Sequence, residues 1–156
     1  MTLPAEEIEL LRRLPVELRP LLEAPRDSGD PVKHRLWPAA YANPLDEDAE
    51  QEWQELVHPD LVTQRVAALE LLAATLERAG AASGEEGSTI QLSDDEATAW
   101  LGALNDARLA IGTRLDVRDD DLEGPPTDPA HPDAPAWALY GWLTALQGDL
   151  VEALVP

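Results

Sequence analysis

The sequence predicts an all-α fold: a compact bundle of five or six helices joined by long loops. Three observations carry this. Leucine-rich stretches repeat with a period of about 3.6 residues, which places their apolar side chains on one side of a helix. Segments dense in proline, glycine and acidic residues separate them. Only "TIQL", residues 89–92, reads as extended.

The first helix follows from Leu3, Glu7, Leu10, Leu14, Leu18 and Leu21, which share one side. Pro4 fits its first turn, where no amide hydrogen is needed, and Pro15 predicts a kink. Residues 25–44 contain Pro25, Gly29, Pro31, Pro38 and Pro44, so this stretch is mostly loop with one short helix around Val32–Leu36. Leu45, Ala49, Trp53 and Leu56 give a helix over Asp46–Val57. His58 and Pro59 open a longer one, in which Val62, Val66, Leu69, Leu72, Ala73 and Leu76 form the inner face and Gly80 supplies the stop.

Residues 80–89 make a flexible polar linker. Ser93 then caps a helix whose first turn, Asp94, Asp95 and Glu96, suits the positive end of the macrodipole; it runs to about Leu115. Residues 116–134 form a second acidic, proline-rich loop, and Ala136–Leu154 is the last helix. No internal repeat is present. The 156 residues suit a single domain over 1–156, with one core burying roughly 70% of the unfolded surface.

Composition narrows function. Lys and Arg total 11 against 31 Asp and Glu, a formal charge of -20. Such a charge repels phosphate backbones, and Arg12, Arg13 and Arg19 are interleaved with glutamates, so direct DNA binding is disfavoured. The chain has no cysteine, which excludes disulfides, thiolate nucleophiles and thiol sensing. No run approaches the roughly 18 apolar residues of a membrane span, and the start lacks a signal peptide's basic and apolar regions. The sequence reads as cytoplasmic.

No catalytic motif emerges. His34, His58 and His131 are far apart, without the spacing of helical metal ligands. Asp116, Asp119, Asp120, Asp121 and Glu123 are oxygen-rich but lack the glycine and alternation of a calcium loop, and read as a solvated acidic run. "SGEEGS" has no lysine and is no phosphate cradle. No serine sits in a nucleophile elbow. Catalytic residues, metal ligands and cofactors are therefore assigned as none.

Arg108 is the anomaly of the fifth helix. Ala97, Leu101, Leu104, Ile111 and Leu115 make an apolar stripe with Arg108 in its middle, Asn105 on its flank and Asp106 on the opposite side. A buried guanidinium needs a carboxylate, so Arg108 is expected to pair with Glu7 or Glu52 on earlier helices. The alternative is a pocket for a small anion built from Arg108, Asn105, Arg65 and Trp100; a hydrolase or metal enzyme ranks lower.

Most of the five tryptophans are expected in the core. On the last helix Trp137, Gly141, Thr144 and Gly148 lie opposite Leu139, Leu143, Leu146 and Leu150. Small residues beside a tryptophan permit close approach of another helix, from a partner protein or in a homodimer.

Four stretches, "RLWPAAY" (35–41), "EQEWQEL" (50–56), "AWLGALNDARLAIGTRLDV" (99–117) and "PAWALYGWLTALQGDLVEAL" (135–154), resemble the actinobacterial AosR-like family. It was long known as a domain of unknown function, and its characterised type is an oxidative-stress transcriptional regulator. The resemblance implies a non-enzymatic cytoplasmic regulator that contacts the transcription machinery, or the Clp system whose adaptor gene often lies nearby. It brings no catalytic residues. Without cysteine a thiol-based sensor does not carry over, and the charge of -20 points to action through protein partners, with the acidic loop 116–123 as one contact.

Overall fold

The computed structural model describes residues 1–24, 29–41, 43–81, 87–117 and 124–154. Their elements run β1 (Thr2–Leu3), α1 (Ala5–Glu23), α2 (Pro31–Leu36), a 3-10 turn (Pro44–Asp46), α3 (Glu47–Leu56), α4 (His58–Ala81), β2 (Ser88–Thr89), α5 (Asp94–Arg114) and α6 (Ala134–Leu154). The all-α expectation holds, with six α-helices among the described residues. Residues 118–123 of the acidic run 116–123, and residues 82–86 of the 80–89 linker, lie outside them.

Local chemistry explains where the helices start. Ser93 and Glu96 form a capping box: the Glu96 amide donates to Ser93 Oγ at 3.3 Å and the Ser93 amide to Glu96 Oε2 at 2.9 Å. Two amides that lack helical partners are thereby satisfied. Asp30 does the same for α2, accepting from the Val32 amide at 2.9 Å, with Pro31 in the first position.

α1 runs unbroken past Pro15 and Pro20. Its buried face is Ile8, Leu11, Leu14, Leu18 and Leu22, about one residue away from the expected stripe; Leu10 is 41% exposed and Leu21 half-buried. The offset arises at Leu3, which belongs to β1 and does not share the helical phase. β1 pairs antiparallel with β2, Thr2 opposite Thr89 and Leu3 opposite Ser88. The Ile90 amide prolongs the ladder by donating to the Met1 carbonyl at 2.8 Å. Gly87 makes this approach feasible, because at φ 110° a Cβ there would lie 2.6 Å from the Leu3 carbonyl oxygen.

α5 is surrounded. It packs on α4, α6, α2 and α1, so its buried residues occupy more than one side: Ala97, Ala99, Trp100, Ala103, Leu104, Ala107, Ala110 and Gly112. Small side chains allow the neighbours close; a Cβ on Gly112 would stand 3.2 Å from the Tyr140 ring. Leu11, Leu22, Leu36, Leu69, Leu72, Leu76 and Leu143 complete a core with Trp100 at its centre. Trp100 Nε1 donates to Thr75 Oγ1 at 2.7 Å, which satisfies the one polar atom of the indole. Lys33, only 5% exposed, lies on the inner side of α2.

Candidate functional site

The buried charge of α5 is Asp106, not Arg108. Asp106 shares one side of the helix with Ala99, Ala103 and Ala110, and that side is covered. Arg65 on α4 reaches it, with Nη1 3.2 Å from Asp106 Oδ1 and 2.9 Å from the Leu36 carbonyl oxygen to which it donates. The Arg65 guanidinium stacks on Trp37, 4.1 Å from the ring centre, and Trp37 meets the His58 ring edge to face at 4.6 Å. One arginine therefore joins the C-terminal end of α2, the first half of α4 and the middle of α5.

Burial raises the Asp106 carboxyl to about 6, and Arg65 only partly opposes this. A folded-state value above the unfolded one means that the folded chain holds the proton more tightly. Asp106 therefore favours folding as pH falls from about 6 towards 4, and opposes it above 6. Against the ordinary carboxylate value this raise corresponds to about 3 kcal/mol. Asp106→Asn is expected to be more stable than the parent at pH 8, with the advantage fading near pH 4. Urea unfolding at the two pH values checks this, and an Asn variant less stable at pH 8 contradicts it.

Arg108 does not reach Glu7 or Glu52. Its Nε donates to Thr144 Oγ1 at 2.9 Å and its Nη1 to Gln147 Oε1 at 2.5 Å, both on α6, while the guanidinium lies 5.6 Å from the Tyr140 ring centre. Glu7 is half-buried on α1, and Glu52 is exposed on α3. The expected ion pair is thus replaced by neutral acceptors. The half-buried arginine carries its head to α6, where neutral acceptors meet it, so no internal carboxylate is required. Arg108→Ala is accordingly expected to cost about 1 kcal/mol or less in a thermal melt, the worth of a solvent-accessible hydrogen bond.

The four residues of the anion-pocket alternative do not converge. Trp100 is fully buried and bonded to Thr75, Asn105 is exposed, Arg65 faces Asp106 and Trp37, and Arg108 faces α6. Periodicity did place Arg108 near the inner side of α5. It missed Asp106, although the alanines at 99, 103 and 110 mark a second covered side.

Two surfaces remain. On α6 Gly141, Thr144 and Gly148 are exposed opposite the buried Leu143, Leu146 and Leu150, and Trp137 is half-buried against Tyr140 at 6.1 Å. Thr144 on this face already accepts from Arg108. α3 is the second surface. It packs chiefly on α4, and none of its residues is fully buried. Leu45, 90% exposed, and Leu56, 67% exposed, point outward, although they share helical spacing with the half-buried Ala49 and Trp53. Among the described residues no group of acidic and histidine side chains is arranged to hold a metal, and no helix is long and apolar enough to cross a membrane.

These features define an acidic α-helical bundle knotted by one partly buried arginine and carrying apolar side chains on an outer helix. The chain belongs to the DUF2017 family, a domain of unknown function, whose profile matches residues 1–154. It is 32% identical over 139 residues to the oxidative stress regulator AosR of Mycobacterium tuberculosis (strain ATCC 25618 / H37Rv) and to that of Mycobacterium bovis. The putative oxidative stress regulator AosR of Mycobacterium leprae matches at the same identity. Each match covers 81% of this chain and 59% of the relative, so the chain spans about three-fifths of the length of these curated relatives. No solved structure matches.

Proposed function

We propose that this protein is a non-enzymatic cytoplasmic regulator of the oxidative-stress response that acts by binding a protein of the transcription machinery. The observation that carries the reading is the 32% identity, over 81% of the chain, to proteins named oxidative stress regulators. A charge of -20 supports action through a protein partner, because the chain repels nucleic acid at long range. Its lack of cysteine moves any oxidant sensing to the partner or to another kind of group.

The test is affinity capture of the tagged chain from its host's lysate, with carboxylate-directed cross-linking and mass spectrometry at moderate and high salt. Recovery of RNA polymerase or a sigma factor is the expected result, and a Clp component would support a regulatory role in proteolysis. Recovery of the chain alone, or as a homodimer, counts against the proposal. Trp137→Ala then reports whether the outward face of α6 takes part.

A further inference from the structure

We infer that the outward face of α3, with the turn before it, is the docking site for a basic amphipathic helix of a partner protein. This inference rests on the regulatory reading above and adds the surface and the chemistry of the partner. α3 contributes no fully buried residue. Its inner side, Ala49, Glu50, Trp53 and Gln54, is half-buried, whereas Leu45 and Leu56 are turned to solvent. Packing within the bundle therefore half-covers Trp53 and leaves the two leucines in solvent. Exposed leucines near the two ends of one short helix are the kind of anchors that a helical partner covers.

Charge selects the occupant. Glu47, Asp48, Glu52 and Glu55 are exposed on α3, between Leu45 in the turn before it and Leu56 at its end, and from Pro38 to Gln64 the sequence holds no lysine or arginine. A partner bringing Lys or Arg beside apolar residues meets both features together. A second copy of this chain would set like carboxylates against one another, and an anionic membrane or a nucleic acid would meet the same repulsion. The surface thus fits a cationic helix better than any of these.

The test needs no identified partner. The isotope-labelled full chain is titrated, by NMR, with a synthetic 18-residue Leu/Lys amphipathic helix, alongside a Leu45→Ser/Leu56→Ser double variant. Both leucines are exposed, so the variant is expected to keep the parent's circular dichroism and melting temperature. The expected result is shift changes centred on residues 41–57, a Kd raised about tenfold or more in the double variant, and weaker binding as salt rises. Shifts spread over the acidic surface, or a Kd unchanged in the double variant, overturn the inference. So does a concentration-dependent dimer of the parent that the double variant abolishes. A failed capture from lysate overturns the regulatory reading instead, so the two failures are told apart.

Discussion

Arg65→Ala is expected to lower stability by about 3 kcal/mol at pH 8 and by clearly less at pH 5. Removing one partner of a buried ion pair leaves the other charged and unsolvated, which typically costs about 3 to 5 kcal/mol. Arg65 is itself about one-third exposed, with side-chain accessibility of 34%, so water softens the loss and the lower end applies. The arginine also supplies the hydrogen bond to the Leu36 carbonyl and the stack on Trp37. At pH 5 most Asp106 carboxyls are protonated in the folded state, and the stranded charge disappears. Chemical denaturation of Arg65→Ala, Asp106→Asn and the double variant separates these contributions. The double variant is expected to lose less than Arg65→Ala alone, a non-additivity reserved for residues in contact. Equal losses at pH 5 and pH 8 would contradict the account.

Trp100→Ala carries the second large effect, a loss of about 3 to 5 kcal/mol. Its side chain is wholly buried, so truncation opens a cavity in the leucine-rich core. It also removes the donor that meets Thr75 Oγ1, although that hydroxyl keeps its own bond to the Leu72 carbonyl at 2.7 Å. Trp100→Phe keeps much of the volume and gives up the hydrogen bond, so its loss is expected to be about 1 to 2 kcal/mol. A domain stable by about 5 to 15 kcal/mol tolerates the second change more readily than the first. Urea midpoints of the two variants check the ranking; a phenylalanine variant as damaged as the alanine one would place the effect in the hydrogen bond rather than the cavity.

Local signals were legible in the sequence. Ser93 with Glu96 fixed one helix start, the short helix around Val32–Leu36 was visible despite its prolines, and four stretches carried the resemblance that the family match bears out. Long-range relations were not legible. Thr2 and Thr89 pair across 87 residues, and no feature of either dipeptide announces the other. For α5, a single apolar stripe was the wrong template, because a helix with neighbours on several sides hides alanines and an aspartate as readily as leucines. Arg108 was misassigned for the same reason: an arginine stem spans the distance from an inner position to the surface. Leu45, Ala49, Trp53 and Leu56 had helical spacing, which does not show how much of a shared stripe is covered: Ala49 and Trp53 are half-buried and the two leucines exposed.

Lys33 is the chain's single lysine, and the fold keeps it on the inner side of α2, where that helix packs on α5. Lysine-directed chemistry, whether acylation, isopeptide attachment of another protein or recognition by a protease that cleaves after lysine, consequently finds no accessible lysine side chain in the folded state. Labelling of the Lys33 side chain, read on its own peptide apart from the α-amine of Met1, would therefore clock the local opening of α2.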